Sequence, residues 1–332
     1  MIKTLYIAEN GLFLKKLSNR IVVRRGKETV QEIPFLDLKR IVIFGHTQVS
    51  TQLLKSLSEK GIDVAFLTAN GRFKFRIVPE TSKNIYLRMA QHDRHRDQAF
   101  MLRLGKILVQ SKIRNQRGLL LRSRRNRPDV VLDVEIKALE KWSKMVDAKE
   151  NVEKIMGLEG MASKTYFHAY GKLLKNGFKF TKRAYHPPPD PVNALLSFGY
   201  MLLFNELNGL IEACGFDPFL GFLHSPRYGR ASLATDLIEE LRSPVIDRLT
   251  LYLINKNVIK LNQFNPEGNS VRMDDKARNG YLRNYEKFMT ASFIDARTRK
   301  QMYFRKIIKD RVQKLENCLL NNSEYQPYVF YG

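Results

Sequence analysis

The distribution of apolar residues predicts an α+β protein: a small N-terminal β-rich domain followed by a larger all-α C-terminal domain. Three observations carry this. Residues 1–79 break into short β-branched or aromatic runs punctuated by turn residues. After Pro79 the apolar period becomes 3.6 and stays helical nearly to the end. The chain has 332 residues, 44% of them hydrophobic, enough to bury more than one core. The expected division is 1–79 as the β-rich domain, 80–84 (ETSKN) as a linker and 85–332 as the helical domain.

In order, TLYIA, GLFLKKL, RIVVRR, ETVQEIPF and RIVIFG read as strands, separated by Asn-Gly, Ser-Asn and Gly-Lys turn signals. A helix follows, capped by Ser50 or Thr51, with Leu53, Leu54 and Leu57 on one face and Gly61 as its stop. IDVAFLT and RFKFRIV flank Ala69-Asn70-Gly71, a hairpin signal. On the second of these strands Arg72, Lys74 and Arg76 alternate, which puts all three on one side, facing solvent or phosphate. No glycine-rich phosphate loop follows any strand, so a nucleotide-binding domain of that type is not expected.

The helical part opens with a long region, 85–121, carrying Met89, Phe100, Leu104, Leu108 and Ile113. His92 and His95 in it read as exposed. The next helix places Glu159 in an apolar stripe with Val152, Ile155, Met156, Ala162 and Tyr166, among the small residues Gly157, Gly160 and Ser163. A carboxylate on a core-facing side is costly unless paired or metal-bound. Pro187, Pro188 and Pro189 make a loop, after which Asp190 caps and Pro191 opens a very apolar helix, 192–214, at the domain's centre. Within it the strongly apolar run 194–204 is too short to span a bilayer, and the N-terminus has no signal-peptide pattern, so a cytoplasmic protein is expected. Beyond His224 a helix over 232–242 carries Asp236, Glu239 and Glu240 at i, i+3 and i+4, with Ser232 as its cap and Pro244 as its stop or as the opening of a second helix. These acids are a solvated face or, with the histidine, ligands for Mg2+ or Mn2+. Helix returns over 245–254, a polar loop over 265–275 and a basic helical stretch over 281–320; the tail NNSEYQPYVFYG is disordered or docked by its aromatics.

Lysine and arginine total 57 against 33 acids, a net charge of +24, which calls for a polyanionic partner, nucleic acid first. Between Gln98 and Pro128 there are nine basic residues and no acid, a run suited to neutralising phosphates. Two cysteines are too few for a disulfide framework or a zinc cluster.

Three segments, KIRNQRGLLLR, GLEGMASKTYF and GFLHSPRYGRASLATDLIEELRSPVIDRL, resemble the signatures of the CRISPR-associated protein one family, and the resemblance extends over essentially the whole chain. It implies a metal-dependent DNA endonuclease and integrase of CRISPR adaptation, in which a DNA 3′-hydroxyl attacks a phosphodiester of the CRISPR repeat, for antiviral immunity. It makes Glu159, His224 and Glu239 the catalytic metal ligands for Mg2+ or Mn2+. Many relatives have Asp where this chain has Glu239, which leaves open whether Asp236 shares the task. Arg242, Asp247 and Arg248 match support positions. The implied partners are double-stranded DNA (spacer precursor and repeat), a second copy of the chain through the β domain, and the small CRISPR-associated protein two. Arg114, Arg117, Arg122, Arg124, Arg125, Lys182 and Arg183 are the candidate DNA contacts. A general metal-dependent nuclease on branched or single-stranded DNA, and a non-catalytic DNA-binding scaffold, are the rival readings.

Overall fold

The computed structural model describes residues 3–36, 38–78, 84–184 and 187–331. The expected linker lies outside the described residues except for Asn84. The chain divides into two compact units, Met1–Lys83 with Glu212–Gly215, and Asn84–Ile211 with Phe216–Gly332.

The first unit holds two four-stranded sheets. One has the order β1 (Lys3–Ile7), β5 (Leu38–Phe44), β7 (Asp63–Leu67), β8 (Phe73–Ile77), parallel except for the β7–β8 hairpin. The other has the order β4 (Glu28–Pro34), β3 (Arg20–Arg25), β2 (Leu12–Leu17), β6 (Thr47–Val49). Strand β6, at three residues, is too short to leave a period in the sequence. Alternation sends Leu12 and Leu14 of β2 inward, and they join Ile21, Val23, Ile41, Ile43 and Val64 in one core. Helix α1 (Thr51–Glu59) adds Leu53 and Leu57 to that core; Ser50 caps it by accepting from the Leu53 amide at 3.3 Å. Strand β4 is paired on one side only and exposes nearly every side chain. The expected alignment of Arg72, Lys74 and Arg76 does not hold. A register shift interrupts the β7–β8 ladder, and Arg76, its side chain 3% exposed, pairs with Asp63 at 3.1 Å and Glu212 at 2.8 Å.

In the second unit, the long region expected to be helical holds two helices, α2 (Ile85–Arg96) and α3 (Gln98–Asn126). Asp97 takes an extended backbone between them and caps α3 by accepting from the Phe100 amide at 3.0 Å. Helix α3 packs against α4 (Asp133–Met145) and α5 (Val152–Lys172). Next comes α6 (Pro191–Cys214), its start capped by Asp190, which accepts from Asn193 N at 2.8 Å. By length and composition all 24 residues of α6 pass for a membrane span; 78% of its most apolar window is buried, so burial and not shortness marks it as a core helix.

Helix α7 (Ser232–Ile238) begins at Ser232, which is fully buried and makes no cap. Pro244 neither stops the chain nor opens a new helix there. It lies inside a π-helical turn, Arg242–Asp247, that leads into α8 (Arg248–Asn255). Proline has no N–H for the carbonyl four residues back, that of Glu240. Asn115 Nδ2 of α3 supplies the missing donor at 2.7 Å. Two hairpins interrupt the later helices, β9 (Phe264–Glu267) with β10 (Ser270–Met273) and β11 (Phe293–Ile294) with β12 (Gln301–Met302). The first lies in the expected polar loop, and Val271 N bonds the Pro188 carbonyl of the proline-rich loop at 3.0 Å. The second splits the expected basic helical stretch into α9 (Asp275–Thr290) and α10 (Phe304–Asn321). The tail is docked, with Tyr325, Tyr328 and Phe330 buried.

Candidate active site

Glu159 comes from the middle of α5, and Glu239 from the residue that ends α7. Both reach Lys112 of α3, whose ammonium pairs with Glu159 Oε1 and lies 2.5 Å from Glu239 Oε2. Ser163, one turn on from Glu159, donates its hydroxyl to Oε1 at 2.8 Å. Gly157 and Gly160 on the same helix have open space beside them. Glu239 also meets Arg242 at 3.1 Å. Burial would raise its carboxyl, but Arg242 and Lys112, with a smaller contribution from His224, hold it down to about 2. Burial opposes the Lys112 charge too, and Glu239 and Glu159 overcome it, so its ammonium is held above the usual lysine range.

Asp236 is fully buried and does not point toward the two glutamates. Its Oδ2 accepts from Phe222 N at 2.5 Å and Leu223 N at 2.9 Å; its Oδ1 accepts from His224 N at 2.9 Å and from His224 Nδ1 at 2.8 Å. With four donors on it, this carboxylate is spent on shaping the loop. A side chain at Gly221 would lie 2.6 Å from Asp236 Oδ2, so only glycine lets the loop close here. His95, read from the sequence as exposed, is half-buried and bonds the Gly221 carbonyl at 2.7 Å. A histidine that donates through Nδ1 to a carboxylate keeps a lone pair on Nε2.

The three acids at i, i+3 and i+4 therefore separate by role. Asp236 orients His224 and Glu239 joins the lysine cluster. Glu240 turns to the tail, accepting from the Tyr325 hydroxyl and the Tyr328 amide. None lies on a solvated face. Burial raises the Glu240 carboxyl above its usual range. Below the cluster, Asp247 accepts from the Tyr166 hydroxyl at 2.7 Å and from that of Tyr200, and Arg242 stacks on the Tyr200 ring at 4.9 Å.

Among the described residues no three His, Cys, Asp or Glu side chains stand together at metal-holding spacing. The donor set nonetheless suits a hard divalent ion. Two carboxylates from different helices already converge on one cation.

The acid-free basic run of α3 is partly neutralised by α4, which sequence order hides. Arg117 pairs with Glu140 at 2.7 Å, and Arg124 pairs with Asp133. Arg114 and Arg125 are exposed, as is Lys182. Arg183 is engaged within the protein, donating to Asn193 Oδ1 at 2.7 Å and Ser197 Oγ at 2.9 Å. Sequence reasoning counted Lys112 only as one of nine basic residues. Its spacing held the signal: Leu104, Leu108 and Lys112 follow at i+4 on the buried face of α3.

Residues 5–287 match the family described as CRISPR associated protein Cas1. The chain is 32% identical over 333 residues, 98% of its own length and 96% of the relative's, to the CRISPR-associated endonuclease Cas1 3 of Thermus thermophilus. Among solved structures it superposes on a chain of a Cas6-RT-Cas1–Cas2 complex with a TM-score of 0.82 at 24% identity, covering 98% of this chain and 36% of that one. A casposase bound to integration product shares the fold with a TM-score of 0.85 at 21% identity, covering 99% of this chain and 93% of the other.

Proposed function

The chain belongs to the CRISPR associated protein Cas1 family, and from that premise we propose that it is a metal-dependent DNA endonuclease and integrase that inserts short foreign DNA fragments into a CRISPR array. The observation that carries this reading is the convergence of Glu159 and Glu239 on a single cation, in a unit where Asp236 fixes the ring of His224. Glu159, Glu239 and His224 Nε2 would hold Mg2+ or Mn2+, with Asp236 as the residue that orients the histidine. Bound there, the ion would lower the pKa of the attacking hydroxyl and neutralise charge on the reacting phosphate.

In strand transfer the 3′-hydroxyl oxygen of the captured fragment bonds to phosphorus as the P–O bond to the departing 3′-oxygen of the repeat breaks. The attacking hydroxyl loses its proton to solvent and the departing oxygen gains one. One phosphodiester replaces another, so no external energy source is needed; water in place of the hydroxyl gives cleavage. Glu239 is ionised at neutral pH and ready to act as a ligand. Lys112 and Arg242, already beside it, supply cationic groups for phosphate oxygens.

Exposed Arg114, Arg125 and Lys182 and half-buried Arg122 are the side chains free to follow a duplex backbone. Arg117, Arg124 and Arg183 would have to leave protein partners first. We assign the homodimer contact to residues 1–79, where β4 offers an unpaired strand edge, and the small CRISPR-associated protein two as the assembly partner, in keeping with the Cas1–Cas2 complex that shares the fold. The work is done in the cytoplasm. The lysine between the two acids also fits the scaffold reading, in which the acids serve only as ion-pair partners.

A strand-transfer assay separates these readings: a short duplex with 3′-hydroxyl ends, a supercoiled plasmid carrying a CRISPR repeat, and Mn2+, with wild type and Glu159→Ala. Joined product that disappears in the variant is the expected result. Cleavage without joining makes the protein a general nuclease, and DNA binding with neither product makes it a scaffold.

A further inference from the structure

Beyond the carboxylate cluster along α3 lies a cavity of about 730 Å3, walled by the end of α3 and by α8 and α9. It shares no lining residue with the small pocket beside Lys112 and Glu239. Six cationic side chains line it, those of Arg122, Arg127, Lys175, Arg248, Lys256 and Lys287, and no carboxylate does. Arg127 is answered by Asp129 at 2.6 Å. Arg122 and Arg248 make no ion pair or hydrogen bond among the described residues, and the Arg248 guanidinium carbon lies 5.0 Å from the centroid of the Phe288 ring and 5.5 Å from that of Phe330. Burial first, and then the neighbouring Arg122, push Arg248 down to about 10. Like charges kept together in a concave site are stabilised by an anion. The wall also carries a ring for a planar group, Tyr252, 47% exposed. The volume falls within the ~300–1,000 Å3 of ligand sites.

We propose that this cavity binds a phosphorylated nucleotide, its phosphates on Arg122, Arg248 and Lys287 and its base against Tyr252. The grip is built from side chains, which is why no glycine-rich loop announces it. Two sources offer this chemistry, a free nucleoside triphosphate and a nucleotide of single-stranded DNA. The site is distinct from the proposed catalytic cluster, so the test is run without metal, where no chemistry intervenes.

The full-length protein in EDTA is titrated with fluorescent dATP, with a blunt duplex, and with the same duplex carrying a single-stranded tail. Wild type is compared with Arg248→Gln and with Lys287→Glu, a change at an exposed position that spares the core. The expected result is saturable binding of dATP, or tighter binding of the tailed than the blunt duplex, weakened about 10-fold or more in both variants, with blunt-duplex affinity changed far less. Whichever of the two probes shows that dependence identifies the source. No binding of dATP together with no gain from the tail overturns the proposal. So does an equal loss on blunt and tailed DNA, which would make the cavity part of a general basic surface. Absence of all DNA binding with retained dATP binding would overturn the DNA reading of the protein and leave this one standing.

Discussion

Lys112 lies between carboxylates from two different helices, and its removal leaves Glu159 and Glu239 facing each other without the cation between them. Breaking a buried ion pair from one side costs about 3–5 kcal/mol. Lys112→Gln should lower unfolding stability in EDTA toward that extent, read by urea denaturation. Added Mn2+ should then raise its melting temperature more than that of wild type, because the ion no longer competes with a resident ammonium. An unchanged Mn2+ response would deny the two carboxylates a role in holding metal. Glu239 sets an acid limit on the metal-free protein. Its carboxyl, held down to about 2 against an ordinary value of 4.5, contributes stability that is fully present above pH 4.5 and lost as pH falls from there through 2. Glu239→Gln should flatten that part of the stability–pH curve, measured by acid titration of fluorescence or circular dichroism.

At the scale of the element, the strap formed by residues 322–331 is what fixes the chain beside the cluster. Asn115 of α3 donates to the carbonyls of Glu240 and Tyr328 and accepts from the Phe330 amide, so one side chain joins helix, site and strap. Gly118, one turn on, leaves room for the strap: a Cβ there would lie 2.4 Å from the Phe330 carbonyl oxygen. Gly118→Ala should destabilise by about 1–3 kcal/mol and expose the strap to limited proteolysis, with the N-terminal unit uncut. Tyr325→Phe leaves the buried Glu240 carboxylate one donor short, at about 1–3 kcal/mol, readable as a fall in the urea midpoint. Most elements were legible in the sequence because period and turn chemistry are local. Asp97 and Pro244 were not read correctly, because a cap and a borrowed donor redirect the chain in ways the apolar period does not register. In the site, Glu159 was legible as a charge in an apolar stripe. The separate duties of Asp236, Glu239 and Glu240 were not, since they depend on which distant group each acid meets: a loop, a lysine or a tyrosine.

Across the whole molecule the charge of +24 dominates solution behaviour. DNA affinity should fall steeply and linearly on a log–log plot against salt, at about 0.9 per phosphate neutralised; a nearly flat response in fluorescence anisotropy would remove DNA as the principal partner. The acid-free run overstates the contribution of α3 to that slope, since Arg117 and Arg124 are already answered by α4. Residues 1–79 should self-associate in ultracentrifugation if β4 is a dimer edge; a monomeric fragment would count against that contact. The Asn115–Glu240–Tyr325 junction also bears on the order of events during synthesis. Glu240 leaves the ribosome 85 residues before the tyrosine that binds it. For that interval a nascent chain carries Glu159, His224 and Glu239 without the strap that packs on Glu240, so the proposed site is completed only after nearly the whole of the helical unit has been made.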